Sequence, residues 1–183
     1  VEIVVPGHPA PQGSKHGRPI YKGRGAAKQF TGKVAMVESS EAVEPWRTDV
    51  RKAFEEQWTR ERIEGPVVVY AVFAFYRPQN HFLPANRSRP EPVLRADAPG
   101  FPITKRKNDV DKLLRSTLDA ITSAGKVWED DSSVVGGQQL KVYVDHKLAA
   151  RLDGRSGAII RVYPVLDELA LPADVDLLSQ LGF

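Results

Sequence analysis

Five aspartates carry most of the chemistry this chain could do: Asp109, Asp111, Asp119 and the adjacent pair Asp130 and Asp131. There is no cysteine, and His8, His16, His81 and His146 share no metal-ligand spacing. Clustered carboxylates without His or Cys are the ligand set of a hard cation, Mg²⁺ or, as a substitute, Mn²⁺. Such a cation polarises a phosphoryl oxygen and lowers the pKa of an attacking water. Aspartates alone would repel a phosphodiester, so this ligand set and an anionic substrate are compatible only with the cation between them. Lys105-Arg106-Lys107, just before Asp109, could hold neighbouring phosphates. Arg115 lies one turn after Asp111, where it could pair with Asp111 or Asp119 or reach the scissile phosphate.

Each residue also has a plainer reading. Asp109 suits a helix N-cap, where an acid also favours the helix dipole. Asp130-Asp131 suits an acidic turn, and Asp119 with Arg115 a surface ion pair of little energetic weight. Asp109-Val110-Asp111 also fits the DxD of phosphatases with an aspartyl nucleophile. Those need the motif at the end of an apolar strand, and here Lys-Arg-Lys-Asn precedes it. Gly23-Arg24-Gly25 lacks the Gly-Lys-Ser/Thr ending of a P-loop, and there is no nucleophile-elbow sequence.

The elements that must position the aspartates follow from periodicity. Val110, Leu113, Leu114, Leu118 and Ile121 define one apolar helix face over about 110–123, with Asn108 or Asp109 as N-cap and Gly125 as stop. A helix of that length spans roughly 20 Å. Asp130 and Asp131 must therefore be carried back toward its start by the strand that follows, Val134-Val135. Further strands are expected at 2–5, 67–76, 139–144 and 158–165, and a helix at 45–62, where Val50, Phe54 and Trp58 fall near helical spacing. Gly136-Gly137 and Asp153-Gly154 supply turns or bulges. Residues 12–33, rich in Gly and Lys/Arg, read as a mobile loop, and the Pro-rich 77–107 as a long irregular segment. Trp46, Trp58 and Trp128 read as core, whereas Tyr21 and Phe30 in the basic loop could stack on bases.

Strands and helices do not alternate evenly, so the fold class is α+β: one domain over 1–165, two main helices, a mixed or antiparallel sheet, and an acidic tail at 166–183. The 183 residues suffice for one core, and no run is long and apolar enough to span a bilayer. The chain opens on the strand-like Glu2-Ile3-Val4-Val5, so a signal peptide is not expected, and the lack of cysteine suits a reducing cytoplasm. The net charge of +3 does not by itself mark a nucleic-acid binder. Its distribution says more: from Pro11 to Ala35 the charged residues are Lys15, Arg18, Lys22, Arg24, Lys28 and Lys33, without one acid. Arg87, Arg89, Arg95 and Lys105–Lys107 form a second basic cluster. Such polarity fits a polyanion-binding face, or a solvated basic loop.

Two stretches carry a family resemblance. Asn108-Asp109-Val110-Asp111-Lys112-Leu113-Leu114-Arg115-Ser116-Thr117-Leu118-Asp119-Ala120-Ile121, followed by Trp128-Glu129-Asp130-Asp131-Ser132-Ser133-Val134-Val135, resembles the RusA family of Holliday-junction resolvases. That family shows a D-x-D-[NK]-L-x-[KR]-x-x-x-D-A-[LI] helix, a short loop, then D-D-[SA]-Q-V and a strand carrying a Lys. Gly7-His8-Pro9-Ala10-Pro11-Gln12-Gly13-Ser14-Lys15 is similar to its N-terminal G-x-P-x-P-[QK]-x-[SR] segment, and Val37–Ser40 with Pro45-Trp46-Arg47 looks like its phage-borne branch. The resemblance implies a Mg²⁺-dependent homodimeric endodeoxyribonuclease that resolves four-way DNA junctions by paired, symmetric nicks in recombination and repair. It implies metal-binding carboxylates at Asp109, Asp111 and Asp131, Asp130 as a supporting acid, and Arg115 as the catalytic basic residue four after the second Asp, where many members carry Lys. Lys112 stands where others have Asn, and Ser133 where Gln is usual. Lys15, Arg18, Lys22, Arg24, Lys28 and Lys105–Lys107 are the expected DNA-binding cations. The alternatives are a non-catalytic branched-DNA-binding or assembly factor and, more weakly, a Ca²⁺-stabilised domain, for which an EF-type loop is absent.

Overall fold

The computed structural model describes residues 1–13, 15–38, 40–103 and 108–165, with the side chains of 15, 16, 26 and 36–38 excepted. In chain order it forms β1 (Glu2–Pro6), β2 (Lys15–Lys22), β3 (Gln29–Glu38), α1 (Val43–Gln57), β4 (Val67–Phe75), β5 (Phe82–Leu83), β6 (Val93–Leu94), α2 (Val110–Ala124), β7 (Val134–Gly136), β8 (Gln139–Tyr143) and β9 (Gly157–Pro164). The main sheet runs β1-β9-β4, with β7 and β8 together forming the far edge. β9 is antiparallel to both β1 and β4, whereas β7 and β8 run parallel to β4. The chain is thus α+β with a mixed sheet, as its uneven element order implied.

The sheet is covered on both faces, and β4 shows why its sequence is so apolar. All nine of its residues are buried. Val67, Val69, Ala71, Phe73 and Phe75 pack into the core beneath α1 and α2, with Trp46, Phe54, Leu113, Ile121 and Trp128. Val68, Tyr70, Val72 and Ala74 face the other way, onto Ala149 and Leu152 of the 3₁₀ turn Lys147–Leu152. The period of two along a strand delivers alternate residues to two separate cores. Trp46, Trp58 and Trp128 are all core residues, as expected.

α1 stops at Gln57, short of the expected 62. Trp58 turns extended (φ −78°, ψ 105°) and stacks on Phe54 within the core. The Gln57 amide then pairs with edge strand β1: Val4 N donates to its Oε1 at 3.1 Å and its Nε2 donates to Val4 O at 2.8 Å. A side chain that supplies an edge strand's missing partners removes an open pairing edge.

The segment 12–33 is not the loop its composition suggested. β2 and β3 pair as an antiparallel hairpin, a two-stranded sheet of its own, separate from the main sheet. Its strands bury neither face, so the apolar/polar alternation that betrays a half-buried strand is weak. The Pro-rich segment from 77 is irregular as expected, apart from the two-residue strands β5 and β6. The acidic tail 166–183 lies outside the described residues. Among the described residues no helix is long and apolar enough to cross a membrane.

Candidate active site

α2 begins and ends where its sequence says. Gly125 adopts the left-handed conformation (φ 67°) that stops the helix. At the other end Asp109 occupies the N-cap position, but its carboxylate makes no capping bond. It accepts instead from Lys112 Nζ at 2.7 Å, and this ammonium holds the Asp109 carboxyl below the usual carboxylate range, with Lys141 adding to the effect.

The buried face of α2 is rotated from the expected one. Leu113, Ser116, Thr117, Ala120 and Ile121 are buried, whereas Val110 is exposed and Leu114 and Leu118 are only partly buried. Two hydroxyls can be buried here because each is satisfied. Ser116 Oγ donates to Ala10 O at 2.7 Å, and Thr117 Oγ1 donates to Leu113 O at 2.8 Å while accepting from Trp46 Nε1 at 3.1 Å. The rotation frees Leu114 and Leu118 to form one wall of a cleft of about 320 Å³, whose other residues are Asp131, Val134–Gly137 and Gln139. Asp111 and Arg115 lie on the same helix stripe as Leu114 and Leu118, with Asp111 one turn toward the helix start.

The second acidic element reaches this cleft through a short 3₁₀ turn, Asp131–Ser133, leading directly into β7. Asp130 caps that turn, accepting from Ser132 N at 2.9 Å, and bonding to Ser132 holds its carboxyl below the usual range. Asp130 therefore has a structural task, while Asp131 lines the cleft opposite α2. Gly137 sets the approach of this edge to the sheet. A Cβ there would lie 1.8 Å from Val69 O, so only glycine lets β7 and β8 run on along β4.

Arg115 pairs with neither of its expected partners. Asp119 is taken by Arg47 of α1 at 2.6 Å, and among the described residues Arg115 has no ion-pair partner and is exposed. One residue that sequence reasoning did not single out sits at the same place. Lys141 of β8 donates from Nζ to Asn108 O at 2.9 Å. Asn108 holds a left-handed backbone (φ 56°) directly before Asp109. The only sequence signal for it was a lysine on the strand after the second acidic pair.

Of the other basic residues, Arg18, Lys22, Arg24 and Lys28 are exposed on the β2–β3 hairpin. Lys15 opens β2, its side chain undescribed, and Lys105, Arg106 and Lys107 lie outside the described residues. Arg89 and Arg95 are engaged locally, Arg89 with Pro84 O at 2.7 Å and Arg95 with Asp97 at 3.0 Å. The hairpin is rooted beside the acidic helix, since Gln12 N donates to Lys112 O at 3.0 Å.

A model of the endodeoxyribonuclease RusA family matches residues 16–151, which takes in the hairpin, α2 and both acidic elements. The chain belongs to the RusA endodeoxyribonuclease family. It is thereby a nuclease by family. No individual curated protein gives a significant match. For a divalent cation the donor set that the family resemblance implies fits in chemistry, being carboxylate oxygen at the exposed Asp111 and the half-buried Asp109 and Asp131. It is not gathered into one coordination sphere: among the described residues no three His, Asp or Glu side chains lie close enough to share an ion.

Proposed function

We propose that this chain is a Mg²⁺-dependent endonuclease of branched DNA that resolves four-way junctions by paired, symmetric nicks. The observation that carries the reading is the cleft in which Asp131 faces the α2 stripe that bears Asp111 and Arg115, a cation with no ion-pair partner among the described residues. Asp109, Asp111 and Asp131 would hold the cation, with Asp130 supporting the turn that presents Asp131. A bound divalent cation supplies charge neutralisation at the scissile phosphate and activation of water.

The chain's own residues then divide the work. Arg115 is placed to donate to the phosphate's non-bridging oxygens as their charge grows. Its planar guanidinium can do so through two parallel hydrogen bonds. Lys112 keeps Asp109 ionised while holding it at the helix mouth. Lys141 acts as a positioning residue: it fixes the carbonyl of Asn108, the residue directly before Asp109 at the start of α2. The basic hairpin grips junction arms mainly through phosphates, reading shape more than sequence. Two copies related by a two-fold axis match the approximate symmetry of a four-way junction, so that opposing strands are nicked by equivalent sites.

A non-catalytic junction-binding factor that uses the basic face is the competing reading, and the exposed cations of the hairpin would serve it equally. Asp111→Asn and Asp131→Asn separate the two. We expect each to bind junctions as the parent does and to cut them on the order of 10³-fold more slowly, the scale of losing several kcal/mol of charge stabilisation. Loss of folding or binding in either variant would make that aspartate structural and remove it from the site.

A further inference from the structure

The β2–β3 hairpin has a design that phosphate gripping alone does not explain. Every residue from Gly17 to Gly25 and from Ala27 to Val34 is exposed, so both faces meet solvent. The two faces differ. The pairing register sets Tyr21 opposite Phe30 and Pro19 opposite Val34 on one face. Arg18 and Lys22 fall on the other, as does Lys33 by the period of two along β3. The apolar face carries large exposed side chains, with Tyr21 at 47%, Phe30 at 54% and Val34 at 54% of full accessibility. The Tyr21 and Phe30 rings sit 5.8 Å apart, tilted at 58°, and Lys28 Nζ stands 4.5 Å above the Tyr21 ring.

We propose that this hairpin is a branch-point probe, in which the Tyr21–Phe30 pair stacks on bases left without a stacking neighbour where DNA strands diverge. The cations of the opposite face follow the phosphates. This rests on the branched-DNA reading given above. Three observations select DNA over a second copy of the chain as occupant. No acid occurs between Pro11 and Ala35, so the arm complements a polyanion on both faces. A lysine sits over the Tyr21 ring of the apolar face, and lysine is depleted from the cores of protein–protein interfaces. Aromatic platforms interleaved with cations are how proteins take hold of unpaired bases whatever their sequence. The placement also fits. The arm is rooted at Gln12 and Ala10 on the first turns of α2, next to Asp111. Its eight-residue strand β2 spans about 26 Å, enough to reach from a cut site to a nearby branch point.

The test is binding in EDTA, compared between a four-way junction and a duplex closed by hairpins at both ends. Because binding is read without cleavage, failure to cut junctions would sink the functional reading and leave this test intact. For Tyr21→Ala with Phe30→Ala we expect roughly 10-fold or greater weakening on the junction, with closed-duplex affinity and the salt slope preserved. Tyr21→Phe and Phe30→Tyr should retain junction affinity. The complementary variant, Arg18→Ser with Lys22→Ser and Lys33→Ser, should weaken both substrates and flatten the salt slope by about 2 to 3. Both aromatic rings are exposed, so melting temperature should not move. Unchanged junction affinity, or equal loss on junction and duplex, overturns the proposal. A fall in sedimenting mass on removing the rings also overturns it, by making the apolar face a contact between copies.

Discussion

Replacing Lys141 with Met removes the ammonium and keeps most of the packed stem, so it isolates one hydrogen bond. That bond, 2.9 Å to Asn108 O, is charge-assisted and partly shielded from water. Breaking such a bond costs about 1.5–3 kcal/mol, and relief of the half-desolvated cation returns part of it, leaving a loss of about 1–2 kcal/mol. In a domain of this size that is roughly 2–8 °C of melting temperature. The larger effect should be on chemistry. Asn108 sits at φ 56°, a conformation that costs a non-glycine residue about 1 kcal/mol and that Lys141 helps to hold. With the anchor gone the segment leading into Asp109 can relax. A displacement on the order of 1 Å at a reacting group can cost 10²-fold in rate. Single-turnover cleavage at saturating enzyme should therefore fall by about 10- to 100-fold, while junction binding measured in EDTA stays put. Asn108→Gly keeps the carbonyl and accepts the left-handed backbone freely, so it should cut at the parental rate. A Lys141→Met protein with the parental single-turnover rate would refute this positioning role. So would a rate loss matched by an equal loss of binding.

Other expectations follow from the same geometry. Gly137→Ala should unfold or severely destabilise the protein, by more than about 3 kcal/mol, because the new Cβ meets Val69 O at 1.8 Å; chemical denaturation measures it. Stability should fall as pH drops below about 6.5, through His146. Burial lowers the pKa of this histidine, and its Nδ1 must stay unprotonated to accept from Leu148 N at 3.1 Å. The unfolded chain thus takes up the proton first, and the stabilisation present above the ordinary histidine pKa is lost on acidification. His146→Ala should flatten that part of a pH–melting curve. Arg47→Met should destabilise modestly, by about 1 kcal/mol or less, since the Asp119 pair it breaks is partly exposed. It should leave the single-turnover rate unchanged, whereas Arg115→Met should reduce that rate without lowering the melting temperature.

What the sequence made legible was whatever short-range patterning controls. The ends of α2 and the strand Val67–Phe75 carry their reasons locally, in an acid at the helix start, a left-handed glycine at its end and a run rich in β-branched residues. The misreadings have non-local causes. Asp119 pairs with Arg47 from α1 in preference to the nearby Arg115, because packing of α1 on α2 delivers a guanidinium that no spacing rule foresees. The buried face of α2 turns toward Ser116 and Thr117 because the Ala10 carbonyl and the Trp46 indole meet their hydroxyls there. The arm was hidden because neither of its faces is buried, and Lys141 because one lysine on a strand says nothing until Asn108 lies within its reach. The acidic residues were found by their types and spacing, yet only Asp131 lines the cleft itself, with Asp111 on the adjoining helix stripe.

The most direct test of the account is cleavage of a labelled synthetic four-way junction beside a linear duplex of matching sequence, with Mg²⁺ and with EDTA. The account predicts symmetric nicks on the junction alone, abolished by EDTA. Tight junction binding with no cleavage in Mg²⁺ or Mn²⁺ would contradict it.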